Sequence, residues 1–238
     1  KMIDVPTLAL LDADILVFKA AYWADQDGLE DIEDRLDSDI ASWTPSGCKP
    51  VLCFSCSRND NFRRELFPEY KAHRDVDGYT PDSLHAVKDI AKCGYKTVLK
   101  NRIEADDLLS LGSSKHKAIA VSIDKDLRCS PGWHWNPDKE FNPVYITEQE
   151  ADKAFYSQIL TGDPADNLKG IHRVGPKTAA KILDATNPEY WALAVAAAYE
   201  RKGLSLKYLL QMARCVRLLR DGEYNNETEK ITLWDLPF

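Results

Sequence analysis

Short apolar runs that end on a carboxylate constrain this chain most. Leu8-Ala-Leu-Leu runs into Asp12, and Ala118-Ile-Ala-Val-Ser-Ile123 runs into Asp124. Such runs, too short for buried helices, read as strands covered on both faces. Residues 50–55 and 96–100 are two further runs of this kind. Helical periodicity fills the intervals at 15–23, 81–92 and 105–111, with Pro81 suited to a first helical turn. Strands alternating with helices predict an α/β fold, a mostly parallel sheet flanked by helices on both faces. Ligands of such sheets gather at the carboxyl ends of the strands. Asp12 and Asp124 stand there.

From about residue 151 helix follows helix: 151–160, 176–183, 189–202 stopped by Gly203, and 205–220 stopped by Gly222. Residues 230–234 are expected to return as an edge strand. The expected division is an α/β core over 1–150 and a C-terminal helical region over 151–238. A chain of 238 residues can bury a core without staples, and 44% hydrophobic with 29% charged residues excludes a disordered or fibrous chain. No apolar run reaches the roughly 18 residues that span a bilayer. The longest early one is broken by Asp12 and Asp14, so no membrane helix or signal peptide is expected, and the chain reads as soluble and cytoplasmic. Cys53 and Cys56 form a C-x-x-C without a second pair, which favours reduced thiols over a zinc site.

The net charge of −7 would argue against a polyanionic partner, but its distribution reverses that. Eight acids fall between Asp25 and Asp39 against Arg35 alone. There Leu29, Ile32, Leu36 and Ile40 recur at helical spacing, predicting an amphipathic helix with a solvated acidic face. Eight more acids form four groups: Asp12; Glu104, Asp106 and Asp107; Asp124 and Asp126; Asp163 and Asp166. Outside all of these the chain is basic, which suits a protein that grips a polyanion and holds cations at one place. Each group follows a strand or opens a helix, so all can converge on one rim of the sheet. Carboxylates so crowded need compensating charge, and oxygen-only donors favour magnesium or manganese. Two such ions form the clamp that hydrolyses phosphodiesters.

A second pattern lies at Gly170-Ile-His-Arg-Val-Gly175-Pro-Lys-Thr-Ala-Ala-Lys181. Two glycines bracket Ile171 and Val174, and a helix opens at Pro176, as in a helix–hairpin–helix. Gly170 and Gly175 would let the backbone approach a phosphate, with donors from the helix start. Lys169, Arg173, Lys177 and Lys181 add sequence-independent charge. A third stretch, residues 61–74, interleaves aromatic and basic residues, a composition suited to single strands.

With these features in order, the chain resembles the 5′→3′ exonucleases of T7-like phages, within the flap endonuclease superfamily. LLDADILVFKAA, FRRELFPEYKAHR, IEADDLL, VSIDKDL, GDPADNLKGIHRVGPKTAAKIL and QMARCVRLLRDGEYN carry the resemblance, from Leu10 to Trp234. It implies a PIN-like sheet, a helical region with a helix–hairpin–helix on duplex DNA, and two divalent cations, with K+ at the hairpin. Asp12, Glu104, Asp106, Asp107, Asp124, Asp126, Asp163 and Asp166 match the family's metal-coordinating carboxylates, with Asp14 behind them. Lys19, Lys71 and Arg74 match its catalytic basic residues, and Tyr70 a neighbouring aromatic that contacts DNA. The implied activity is hydrolysis near 5′ ends of duplex DNA, flaps and RNA–DNA hybrids. Replication proteins are the implied partners, and the expected form is a monomer in the host cytoplasm.

The family also carries an Asp after the second strand, where this chain has Ser55 and Cys56. Asp60, or nothing, takes its place. Two alternatives use fewer of these features. Asp12-Ala-Asp14 after a strand also resembles the nucleophile motif of haloacid-dehalogenase phosphatases, and a non-catalytic DNA-junction binder would need no complete cation site.

Overall fold

The computed structural model describes residues 4–238. Six strands form one sheet: β1 (Leu8–Asp12), β2 (Lys49–Phe54), β3 (Thr97–Leu99), β4 (Ile119–Val121), β5 (Gly132–Trp135) and β6 (Val144–Ile146). Their order is β3-β2-β1-β4-β5-β6, parallel throughout except for β6, which runs antiparallel to β5. The expected mostly parallel sheet is therefore present. Neither β5 nor β6 is anticipated by the apolar runs.

Alternation along each strand splits its side chains between two cores. Ala9, Leu11, Leu52, Phe54, Ile119 and Val121 face α1 (Ala13–Asp27), α2 (Ile32–Ser42) and α5 (Leu84–Gly94). Leu10, Cys53 and Ala120 face α6 (Ala105–Ser114) on the other side. Between β2 and α5 lie two short helices, α3 (Phe62–Leu66) and α4 (Arg74–Asp77). A third core joins α7 (Glu148–Thr161), α8 (Pro176–Asp184), α9 (Trp191–Glu200) and α10 (Leu206–Val216). Between α7 and α8, β7 (Gly162–Asp163) and β8 (Leu168–Lys169) make a two-residue antiparallel ladder. Among the described residues no helix is long and apolar enough to cross a membrane.

Three expectations need correction. The acidic stretch is not one helix: α1 runs to Asp27, the chain turns at Gly28 (φ 90°), and α2 begins at Ile32. Its acids are partly engaged too. Asp25 accepts the amides of Asp82 and Ser83, and Asp37 accepts the Tyr95 hydroxyl. The last helix stops at Val216 rather than Arg220, because the Arg63 guanidinium takes the carbonyls of Cys215 and Arg217 while Leu218 and Leu219 enter the core beneath α6. Residues 230–234 make only an isolated bridge, Ile231 to Tyr224, and do not join the sheet.

Candidate active site

The acids stand where strands or loops hand over to helical turns, and several cap the turn that follows. Asp12 ends β1 and its Oδ1 accepts the Ile15 amide at 3.4 Å. Asp124, just beyond β4, accepts the Asp126 amide at 2.9 Å, and Asp163 accepts that of Ala165 at 2.8 Å. Glu104 and Asp107 form a capping box on α6. Free N–H groups and the helix dipole favour negative charge at each of these places.

A cleft of about 880 Å³ at the carboxyl edge of the sheet collects Asp12, Asp14, Glu104, Asp106, Asp124, Asp126 and Asp166, together with Lys19, Lys71 and Arg74. The acids divide into two sets. Glu104 and Asp166 are already paired with cationic groups. Lys71 Nζ lies 2.7 Å from Glu104 and 3.6 Å from Asp166, Arg74 bonds Asp166 at 3.0 Å, and the Tyr70 hydroxyl donates to both carboxylates. Burial alone would raise Glu104, but Lys71 and Arg63 outweigh it and hold its pKa at about 2. The other set has no such match. Burial, with Asp14 and Asp124 nearby, pushes Asp12 up to about 7. Burial and the charges of Asp12 and Asp124 raise Asp106, whose Oδ1 is buried without a partner. Burial and Asp124 raise Asp126 to about 7, and the buried carboxyl of Asp163 adds to the rise.

Asp12, Asp106, Asp124 and Asp126 fit a hard divalent cation on chemistry: they offer only oxygens, they lack cationic partners of their own except a distant lysine, Lys125, 3.9 Å from Asp126, and one buried oxygen is orphaned. Among the described residues no group of three or more His, Cys, Asp or Glu side chains is placed to hold a metal ion by itself. An ion there would keep water ligands, as magnesium does.

Asp107 departs from expectation, and the structure fixes the surroundings of Tyr70, Lys19 and Asp60. Asp107 is turned away from the cleft and saturated: Arg63 grips it with two bonds of 2.6 and 2.7 Å, and the amides of Glu104 and Leu219 complete its oxygens. Tyr70 lines the cleft but is only 2% exposed, and its hydroxyl holds Glu104 and Asp166. Lys19 reaches the cleft mouth but is paired with Asp39 of α2 at 3.2 Å. Asp60 is exposed on a 3-10 turn and does not line the cleft. Ser55, just past β2, stands in that place as a bridge, giving its amide to Asp14 and accepting the Ala105 amide on its hydroxyl.

Two residues of the site escaped the sequence reading. Arg63 is fully buried and spends its donors on Asp107, Glu104 and the carbonyls of Cys215 and Arg217. Lys88 of α5 lines the cleft and pairs with Asp14 at 3.2 Å. Arg63 sits in the quoted basic stretch, but nothing local marks it as buried.

The glycine turn forms a second concavity of about 600 Å³, lined by residues 161–175 including Lys169, Gly170, Arg173 and Gly175. Its glycines differ. A Cβ on Gly170 would lie 2.2 Å from the Gly162 amide nitrogen, so Gly170 serves close packing of the ladder. Around Gly175, the N-cap of α8, there is open space. Lys169, Arg173, Lys177 and Lys181 are exposed.

No family model matches the chain. It is 29% identical over 213 residues to DNA polymerase I of Mycobacterium tuberculosis, covering 75% of this chain and 23% of the relative. The chain thus spans about a quarter of that relative. It is 29% identical over 199 residues to the flap endonuclease Xni of Aeromonas salmonicida, covering 68% and 69%. Among solved structures, the D15 protein of phage T5 co-crystallised with metal ions superposes with a TM-score of 0.65 at 16% identity, over 89% of each chain. The T5 5′-exonuclease with bound zinc gives 0.59 at 15% identity, over 88% and 93%. The fold is the one these nucleases share.

Proposed function

We propose that this chain is a metal-dependent 5′ nuclease, hydrolysing phosphodiester bonds near 5′ ends of duplex DNA, flaps and RNA strands in hybrids. One observation carries the reading: Asp12, Asp106, Asp124 and Asp126, far apart in the chain, crowd one cleft without matching cations, beside Lys71 and Arg74. The relatives named 5′ nucleases support it, as does the resemblance to the T7-like phage branch.

Asp12, Asp106, Asp124 and Asp126 would hold two magnesium or manganese ions, which supply Lewis-acid stabilisation of the phosphoryl oxygens and acidify water. The chain's own groups do the rest. Lys71, released from Glu104 and Asp166, offsets charge developing on the phosphoryl oxygens. Arg74 positions the phosphate from the same side, and Lys19 does so from α1. Residues 1–150 form the PIN-like catalytic core. Residues 151–238 hold the duplex through a helix–hairpin–helix, with exposed Lys169, Arg173, Lys177 and Lys181 on phosphates and K+ at the Gly170–Gly175 turn. The protein acts as a monomer beside replication proteins in a phage-infected cytoplasm.

The test is a 5′-labelled set of blunt, nicked and flapped duplexes with magnesium or manganese. Asp124→Asn with Asp126→Asn should bind duplex normally in calcium and fail to cut in magnesium. Undiminished cutting by that double variant refutes the assignment. A wild-type protein that binds but never cuts would instead be a junction binder, and one that turns over only small phosphate esters would be a phosphatase.

A further inference from the structure

Exposed aromatic rings gather on the outer face of α1. Tyr22 and Trp23 sit one turn beyond Phe18, and Tyr79 of the 78–83 segment packs edge-on between Phe18 and Tyr22, with ring centroids 6.2 Å away on each side. Tyr22 and Trp23 meet edge-on at 6.0 Å, and the Arg35 guanidinium of α2 covers the Trp23 ring at 4.5 Å. The contacts do not bury them: Tyr22 remains 45% exposed, Trp23 39% and Tyr79 57%. The geometry is held from behind. Asp25 accepts the amides of Asp82 and Ser83 at 2.9 Å and the Tyr79 hydroxyl at 3.3 Å, fixing this segment against α1. Phe18 and Tyr79 line the cleft, so the exposed rings continue its wall outward.

We infer that Tyr22 and Tyr79 form a stacking shelf for unpaired bases of a 5′ single strand lying across the cleft mouth. Large apolar surface left exposed beside a charged cleft marks a binding site. Every base presents a π-face, so fixed aromatic rings receive a strand of any sequence. Charge sets the strand's direction. On the far side α2 exposes Glu33, Asp34 and Asp37, which repel phosphates, whereas Lys19 and Arg58 line the cleft side. The phosphates therefore run along the cleft edge and the bases turn onto the rings. The acidic helix α2 acts as a fence that keeps the backbone on one track. This inference rests on the nuclease reading and names a part of its substrate.

The experiment compares a blunt duplex with the same duplex bearing a short 5′ oligothymidine tail, both titrated onto the full chain in calcium. Tyr22→Ala should weaken binding of the tailed duplex about tenfold, or ~1.4 kcal/mol. Binding of the blunt duplex should stay as in wild type. Tyr22→Phe should bind both as wild type does. An equal loss on both duplexes, or no loss on the tailed one, overturns the shelf. If the alanine variant does not fold, 2-aminopurine in the tail reads stacking on the unaltered protein. Its fluorescence should be quenched at saturation, and unchanged fluorescence overturns the inference equally. Failure of the nuclease reading would look different: wild type would bind neither duplex, and both readings would fall together.

Discussion

Arg63 and Asp107 face each other across two parallel hydrogen bonds of 2.6 and 2.7 Å, both side chains shut off from solvent. The pair joins α3, the start of α6 and the chain beyond α10, through the carbonyls of Cys215 and Arg217 and the Leu219 amide. Removing one partner of such a pair leaves an uncompensated buried charge. Arg63→Ala or Asp107→Ala should therefore cost about 3–5 kcal/mol of stability in urea denaturation. Asp107→Asn, which keeps the shape, should still bind manganese with wild-type stoichiometry by calorimetry. Loss of a bound ion would mean that Asp107 turns into the cleft.

Lys71 is the counter-ion of Glu104 and Asp166 in this structure. Lys71→Ala should lower kcat by about a hundredfold or more, in line with removal of one preorganised charge at a reacting group. It should also release Glu104 from its pKa of about 2. The acid limb of the pH–rate profile would then move toward higher pH, and an unmoved limb would count against the pairing.

The two glycines of the turn should separate packing from binding. Gly170→Ala places a methyl within 2.6 Å of the Gly162 amide, the Thr161 carbonyl carbon and the Leu160 carbonyl oxygen, none of which can yield. It should lower stability by about 1–3 kcal/mol, the usual cost of overpacking. Gly175→Ala meets nothing within 4 Å and should melt with wild type. Duplex affinity in calcium should fall for Gly175→Ala nonetheless, because its methyl intrudes where a phosphate would approach.

Acid stability should carry the mark of His134. Burial holds its pKa at about 4, outweighing the backbone of Pro131 and Ser130, which pulls the other way. A histidine depressed from its ordinary 6.5 binds fewer protons folded than unfolded. Its contribution is complete above pH 6.5 and lost as pH falls toward 4. Asp12 and Asp126 work in the opposite direction, since carboxyls raised to about 7 favour the folded state at low pH. The difference between wild-type and His134→Leu urea curves across pH 4–7 isolates the histidine. A flat difference would show that it does not titrate in this range.

Magnesium should stabilise the protein more at pH 8 than at pH 5.5, measured as the rise in Tm. At pH 8 the carboxyls of Asp12 and Asp126 are ionised and repel one another, whereas at pH 5.5 they hold protons that a cation must displace. Equal shifts at both values would separate these groups from the cation.

The parallel sheet was legible because Leu8–Asp12 and residues 118–124 combine an unbroken apolar run with a terminal acid. β5 and β6 were not: Gly132-Trp-His-Trp follows Pro131 and looks like a turn, and three-residue β6 is too short to show a period. The acids were visible as groups, but their individual directions were not. Asp106 and Asp107 are adjacent on a helix and point about 100° apart, so one turn of α6 cannot aim both into the cleft. Which one faces inward is decided by Arg63, 44 residues away. Tyr70 likewise looked like a surface aromatic, because its two carboxylate acceptors come from distant segments.

The lone reversed strand has a mechanical result. β6 descends from the rim where β1 and β4 end, so α7 must climb back up the molecule, about 21 Å over its fourteen residues. That climb delivers Asp163 against Asp126 and places the Asp166 carbonyl 3.0 Å from the Lys71 amide. The length of α7 thus works as a spacer: one residue inserted or deleted would swing both acids by about 100° and dismantle the junction between the sheet and the hairpin.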